Sequence, residues 1–167
     1  VGRLEEVKAF HYAIEGFAGI ANKFPNLRLK IVGKGSLKND LKQKAIDHGV
    51  ACRVDFEGYQ KDVIPYYLHA KATILTSLYE GYPNVLLESL VMNTPVIAFN
   101  CPGGTSEIIQ DGVNGYLVKY KDIHDLKKKL SILLLNKYNN KVFIDSIKKN
   151  KIENVFKHYE ELINSFI

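Results

Sequence analysis

Cysteine is scarce in this 167-residue sequence: Cys52 and Cys101 stand 49 positions apart, in no Cys-x-x-Cys pair and without histidines at metal-ligand spacing. That argues against a disulfide scaffold or a zinc module and for two buried thiols in a reducing cytoplasm. Long hydrophobic runs are also missing, and none approaches the ~18–20 residues that cross a bilayer. The chain opens Val1-Gly2-Arg3-Leu4, with no basic start or apolar segment behind it, so no secretory leader is expected. The missing initiator methionine leads us to expect a segment of a longer protein. Neither phosphate-binding glycine fingerprint is present. "GKGS" (33–36) lacks the spacing of a Walker loop and the third glycine of G-x-G-x-x-G, which argues against a dinucleotide dehydrogenase. Internal repeats, low-complexity stretches and Gly/Ser linkers are absent as well.

What is present is the composition of one ordinary globular domain, 46% apolar and 25% charged, long enough to bury a core. The net charge of +5 is concentrated late: Lys119 to Lys157 holds eleven lysines against four acids and no arginine. Few aromatics are interleaved there, so nucleic acid is not an expected partner. The stretch reads either as a solvated helix face or as a basic face touching an anionic membrane or substrate.

Short β-rich runs alternate with amphipathic ones. The spacing of Val7, Phe10, Ile14, Phe17 and Ala21 predicts a helix, followed by a strand at 27–33, a helix at 36–49 capped by Ser36, and a strand at 52–58. A short helix at 62–70, interrupted early by Pro65, leads to a buried strand at 72–77. Beyond it come a helix at 84–92, a strand at 95–99, a helix at 105–110 with Thr105 or Ser106 as its N-cap, a strand at 115–119 and a helix at 123–136. One or two more helices are expected within 141–166. Strands separated by helices imply a parallel sheet with right-handed crossovers, covered on both faces. The expected fold class is therefore α/β, a Rossmann-like three-layer sandwich, which binds ligands at the carboxyl ends of its strands.

Four loops fall at such ends: "VGRLEEVK", "GKGS", "SLYEGYPN" and "NCPGGT". "GKGS" reads either as a tight turn or as backbone lying close to a ligand. "NCPGGTSE" (100–107) reads equally as helix capping or as a pocket lining, and "DGVNG" (111–115) as turn chemistry alone. In "YEGYPNVLLE" (79–88) two glutamates stand eight positions apart. Val85, Leu86, Leu87, Leu90 and Val91 cover most of the helix surface, so Glu88 is expected to be buried and to need partners. Pro83 would open the helix and leave the N–H groups of Asn84, Val85 and Leu86 free, the positive end of the helix dipole facing the loop. Asn93 suits the left-handed conformation that ends a helix. A capped core helix with Glu80 in solvent accounts for the pattern as well.

Glu80-Gly81-Tyr82-Pro83-Asn84-Val85-Leu86-Leu87-Glu88 resembles the E-x7-E motif of retaining GT-B glycosyltransferases of glycosyltransferase family 4. "VGRLEEVK" looks like that family's GR-x4-K loop, with Arg3 and Lys8. "LKIVGKGS", "VDFEGY" and "NTPVIAFNCPGGTSEIIQDGVNGYLV" match in kind and order, so the likeness covers about residues 1–135. Ala9 and Asn93 stand where the family often has glycine, and both look conservative.

The resemblance implies the C-terminal nucleotide-sugar-binding half of a GT-B fold over residues 1–167, with an N-terminal acceptor domain expected elsewhere and the helices of 141–167 packing toward it. Arg3 and Lys8 would hold the donor diphosphate by charge-assisted hydrogen bonds, with no metal and no separate cofactor. Glu80, with Arg3 and Lys8, would serve the chemistry by contacting the transferred sugar, and Glu88 would accept from ribose hydroxyls. Gly2, Gly81, Tyr82, Pro83, Asn84, Val85 and Leu86 would complete the donor site, with Gly58 and Tyr59 beside the base. A glycan or lipid-linked glycan acceptor, a cytoplasmic location and a peripheral membrane contact through the lysine-rich end go with this reading. A nucleotide-sugar epimerase and a non-catalytic docking module are the alternatives. Nucleotide diphosphate binding favours an enzyme, and vesicle binding without it favours the module.

Overall fold

The computed structural model describes residues 1–138 and 140–148, and within them short parallel strands alternate with helices in the predicted order. Strands β1 (Leu29–Val32) and β2 (Val54–Gly58) pair in parallel from Leu29 opposite Val54 to Val32 opposite Gly58. Strands β3 (Thr73–Leu75), β4 (Val96–Phe99) and β5 (Gly115–Val118) form a second parallel sheet in that order. The crossovers are α1 (Phe10–Ala21) before β1, α2 (Lys38–Asp47), α3 (Ile64–Leu68), α4 (Asn84–Val91) and α5 (Thr105–Ile108). After β5 come α6 (Ile123–Leu135) and α7 (Asn140–Ser146). The α/β class and the parallel pairing are as expected. One feature differs: among the described residues no ladder joins β1 to β3, so the single expected sheet stands in two parts.

Strand β4 shows why the sandwich has three layers. All four of its residues are buried, because both faces are covered. Val96 and Ala98 pack with Leu86, Leu90, Ile108 and Phe143 on one side. Ile97 and Phe99 pack with Ile20, Leu126, Leu130 and Leu133 on the other. A third cluster, including Phe10, Ile14, Phe17, Ile31, Leu41 and Val54, holds α1 and α2 onto β1 and β2. Phe143 joins α7 to this same core, and the remainder of the predicted C-terminal helices, from residue 149, lies outside the described residues.

Several local expectations need correction. Ser36 does not cap α2, which begins at Lys38 behind Leu37; its N–H and hydroxyl donate instead to Glu5 at 3.1 and 2.9 Å. Neither Thr105 nor Ser106 is the N-cap of α5, because Gly104 takes that place. Pro65 lies in the first turn of α3, where a missing N–H costs nothing, so it starts the helix and does not interrupt it. Of the two cysteines only Cys101 is buried, whereas Cys52 is exposed. Asn93 has the expected left-handed backbone, φ 59°, one residue beyond the helix end at Met92. Ala9 has it too, at φ 43°, so its methyl sits in a conformation that suits glycine and the substitution is not neutral for the backbone.

Arg53 ties the β1–β2 half to the end of α1. Its guanidinium donates to the carbonyls of Ala21 (2.8 Å), Phe24 (2.5 Å) and Leu27 (3.0 and 2.6 Å) and stacks 5.2 Å from the Phe17 ring centroid. The Ala21 carbonyl ends α1 and the other two lie just past it, where intrahelical donors run out; Ala21 O and Phe24 O also accept from the N–H groups of Phe24 and Leu27. We expect Arg53→Ala to lower stability by about 2 kcal/mol, the worth of charged hydrogen bonds lost from a partly buried site. Arg53→Lys should recover little, because one ammonium cannot span three carbonyls. Urea titrations of the two variants check this. By contrast, the Arg28–Asp55 pair, though bidentate at 2.6 and 2.8 Å, is exposed and should contribute little.

Candidate functional site

The loops singled out in the sequence converge at the carboxyl ends of the strands. Val1–Leu4 runs alongside the end of β1: Gly2 N–H donates to Val32 O and Leu4 N–H to Lys34 O, both at 2.9 Å. Gly33, at φ 140°, makes this approach possible, since a Cβ there would lie 1.8 Å from the Gly2 carbonyl oxygen. "GKGS" is thus a loop in which backbone packs against backbone. Gly33 N–H donates to Gly58 O at 2.7 Å, and Lys34 lies 5.6 Å from the ring of the exposed Tyr59. This places Gly58 (φ 72°) and Tyr59 beside the Gly2–Arg3 segment.

The next link is electrostatic. Lys8 Nζ donates to Glu80 Oε1 at 2.6 Å, and Ser77 Oγ donates to the same oxygen at 2.6 Å. Glu80 is only 8% exposed. A carboxylate this buried persists because it is paired and hydrogen-bonded. Backbone bonds hold the two loops in place: Leu78 N–H to Val7 O at 2.8 Å, and Thr76 Oγ1 to Ala9 O at 3.0 Å. The "PGG" turn closes the far side. Glu80 N–H donates to Pro102 O, and Gly104 N–H to Gly81 O, while Glu80 and Gly103 form a bridge. "NCPGGT" therefore lines the glutamate and does not merely cap a helix. Arg3 is exposed and makes no hydrogen bond or ion pair among the described residues.

Glu88 departs from expectation. It is exposed, and its Oε2 accepts from the Tyr67 hydroxyl at 2.8 Å. Tyr67 is itself 2% exposed; burial first, and then the Glu88 carboxylate, push its phenol well above the usual range and keep it a donor. Tyr67, Asn84, Leu87 and Glu88 share the wall of an open cavity of about 580 Å³ beside α4. The free N–H groups expected at the start of α4 also need revision. Asn84 N–H donates to Tyr82 O and Leu86 N–H to Pro83 O, which leaves Val85 as the N–H without a partner among the described residues. Gly81, Tyr82 and Asn84 are at the surface, whereas Pro83 and Leu86 are buried.

The structure thus gathers the Gly2–Arg3 segment, Gly58 and Tyr59 around Gly33 and Lys34, and joins Lys8, Glu80 and Gly81 through the Glu80 loop. Glu88 looks into a cavity of its own on α4, supported from α3. Ser77 and Tyr67 were not foreseen, and Gly103 was marked only as part of the "NCPGGTSE" loop. Ser77 is three residues before Glu80 in a loop, a spacing that carries no signal by itself, and Tyr67 acts across 21 positions of sequence. Among the described residues no group of three or more His, Cys, Asp or Glu is placed to hold a metal ion.

Residues 1–150 match the family described as "Glycosyl transferases group 1". The chain belongs to that family. An uncharacterized glycosyltransferase of Haemophilus influenzae is 33% identical over 136 residues, 81% of this chain and 38% of that protein. A Campylobacter jejuni N-acetyl-D-galactosaminyltransferase named for an undecaprenol-diphosphate-linked glycan is 30% identical over 162 residues, 96% of this chain and 45% of that protein. The structure of Staphylococcus aureus TarM with UDP and a glycoside superposes with a TM-score of 0.88 at 26% identity, covering 98% of this chain and 34% of TarM. The group 1 glycosyl transferases it matches include enzymes of bacterial lipopolysaccharide and glycolipid assembly, and the fold is the Rossmann-like half of a GT-B architecture. The chain spans less than half the length of these relatives.

The lysine-rich end is only partly a free face. Lys129 donates to Leu117 O and lies 3.5 Å from Asp125, and Lys127 lies 3.7 Å from Glu15. Lys119, Lys121, Lys128 and Lys137 are exposed. Among the described residues no helix is long and apolar enough to cross a membrane.

Proposed function

We propose that this domain binds a nucleotide-diphosphate sugar at the carboxyl ends of its strands and serves a retaining hexosyl transfer of the glycosyltransferase family 4 type. The observation that carries the reading is the part-buried Lys8–Glu80 pair five residues on from Arg3, whose exposed guanidinium makes no hydrogen bond or ion pair among the described residues. Lys8 spends one N–H on Glu80 and has two left for phosphate oxygens. Arg3 offers its planar fork to the same diphosphate. As the bond to the leaving nucleotide breaks, these cations lie where negative charge develops, with no metal required. The Glu80 oxygen that neither Lys8 nor Ser77 occupies accepts from a hydroxyl of the sugar. Glu88, its other oxygen held by Tyr67, accepts from the ribose hydroxyls, and Gly58 and Tyr59 border the base.

In the longer protein a second domain would bring a glycan or lipid-linked glycan acceptor to the cytoplasmic side of this crevice, with the exposed lysines near an anionic surface. The UDP of the TarM structure makes uridine the first base to try. Calorimetry of the domain against uridine, guanosine and adenosine diphosphates tests the reading, and failure of all three to bind would refute it. With the preferred nucleotide, Arg3→Ala should weaken affinity by about 1.5–3 kcal/mol, the range for a hydrogen bond to a charged group. Its thermal stability should change little, since among the described residues Arg3 has no hydrogen-bond or ion-pair partner to lose. An equal affinity for Arg3→Ala would move the phosphate site elsewhere.

A further inference from the structure

The loop that carries Glu80 is held from one more direction. Leu78, two residues before Glu80, donates its N–H to Val7 O at 2.8 Å, and its carbonyl accepts from the Tyr120 hydroxyl at 3.1 Å, across 42 positions of sequence. No other donor reaches that carbonyl among the described residues. A peptide unit is planar, so a donor on Leu78 O orients the whole Leu78–Tyr79 unit. The unit after it carries the Glu80 N–H, which donates to Pro102 O at 3.2 Å. With both units held, the backbone from which the Glu80 side chain departs has one course. Lys8 Nζ and Ser77 Oγ then meet the same carboxylate oxygen, Oε1.

Tyr120 is itself firmly placed. It follows the carboxyl end of β5, in a turn closed by Asp122 N–H to Lys119 O at 3.0 Å. Lys119 N–H donates to Asp125 Oδ2 at 2.8 Å, and Asp122 caps α6 by accepting from Asp125 N–H at 2.9 Å. The Tyr120 ring stands edge-on to Phe99, the last residue of β4, with centroids 6.4 Å apart and planes at 81°. Lys121 has a left-handed backbone, φ 59°, and its ammonium lies 5.0 Å from the Tyr120 ring centroid. That backbone is unfavourable for lysine and persists only where the surroundings dictate it. Tyr120 is 42% exposed, so water can take the place of its hydroxyl on Leu78 O. Water satisfies the carbonyl without aiming it. The bond therefore directs the loop more than it stabilises the fold.

We propose that Tyr120 is a positioning residue for Glu80, its hydroxyl orienting the Leu78–Tyr79 peptide so that the glutamate presents its second oxygen to the transferred sugar. The assignment rests on the sugar contact proposed above for Glu80. Oε1 is committed to Lys8 and Ser77, which leaves Oε2 for the ligand. Where Oε2 points follows from the backbone course that Tyr120 sets. Arg3 and Lys8, the proposed phosphate contacts, stand on a different loop that Tyr120 does not bond. The hydroxyl thus acts on the sugar and not on the diphosphate.

The test is Tyr120→Phe, which keeps the ring against Phe99 and removes the donor. Its melting point should move by no more than about 2 °C, and hydrogen exchange at the Leu78 and Glu80 amides should quicken while that at Ile97 on β4 does not. Calorimetry should show an unchanged affinity for uridine diphosphate. The affinity for uridine diphosphate glucose or N-acetylglucosamine should fall about fivefold, the worth of one modest hydrogen bond. In a Glu80→Gln background the same change should cost nothing further, because the two residues act through one contact. Unchanged Leu78 exchange, an equal loss for the bare diphosphate, or a full additional loss beside Glu80→Gln would overturn the proposal. Binding of none of these ligands by the parental chain would refute the function above and the sugar contact with it, and the exchange result would then decide alone whether Tyr120 orients the loop.

Discussion

Gly103→Ala is expected to lower stability by about 3 kcal/mol or more and to abolish nucleotide binding at any concentration practical for calorimetry. Gly103 has φ 113°, and a Cβ built on it would lie 1.4 Å from the carbonyl oxygen of Glu80 and 2.6 Å from its carbonyl carbon. Both are backbone atoms, so no rotamer change relieves the clash. The "PGG" turn must withdraw from the Glu80 loop, breaking the bonds from Glu80 N–H to Pro102 O and from Gly104 N–H to Gly81 O. Overpacking of a tight core typically costs about 1–3 kcal/mol, and a non-glycine residue at this φ adds conformational strain. Gly49→Ala is the control. Gly49 also has positive φ, 69°, but nothing lies within 4 Å of its Cβ position, so only the left-handed penalty of about 1–2 kcal/mol applies. Guanidinium titration of the two variants separates strain from collision. Equal losses would show that the turn yields without disturbing Glu80.

The two glutamates show what could be read from the sequence and what could not. Order and type of the elements were legible because periodicity is local: β4 is an unbroken apolar run, and α1 repeats its buried positions at helical spacing. The convergence of "VGRLEEVK", "GKGS", "SLYEGYPN" and "NCPGGT" followed from the parallel topology. Glu88 was expected to be buried and is exposed, while Glu80, left open between solvent and a ligand contact, is the buried one. On α4 the buried stripe is Leu86, Ser89 and Leu90, an i, i+3, i+4 set with a polar member. Ser89 is fully buried because its hydroxyl bonds Thr73 Oγ1 and Thr94 O, partners on other elements. With the stripe so turned, Val91 and Glu88 face outward. Glu80 is buried because Lys8 reaches it across 72 positions of sequence. No local pattern carries such a pairing. The gap between β1 and β3 was illegible for a related reason: strand count is visible along the chain, but which edges meet is settled only in space.

The Lys8–Glu80 pair joins stability and function, and a set of three variants separates them. Lys8→Met should destabilise the domain by about 3 kcal/mol, because it leaves a nearly buried carboxylate with Ser77 as its remaining donor. Glu80→Gln should cost less: Lys8 is 21% exposed and can still reach water, and a glutamine oxygen still accepts from Ser77. The double variant, Lys8→Met with Glu80→Gln, should recover most of the loss of Lys8→Met, since no unpaired buried charge remains. Binding should behave otherwise. If Lys8 donates to the diphosphate and Glu80 accepts from the sugar, the double variant restores neither contact. Its affinity for a nucleotide sugar should stay below that of either single variant, while the bare nucleoside diphosphate registers only the loss of Lys8. Calorimetry with both ligands, beside urea titration of all three variants, reads the two roles independently. A double variant that regained parental affinity together with stability would make the pair a strut between loops, with the ligand held by other groups.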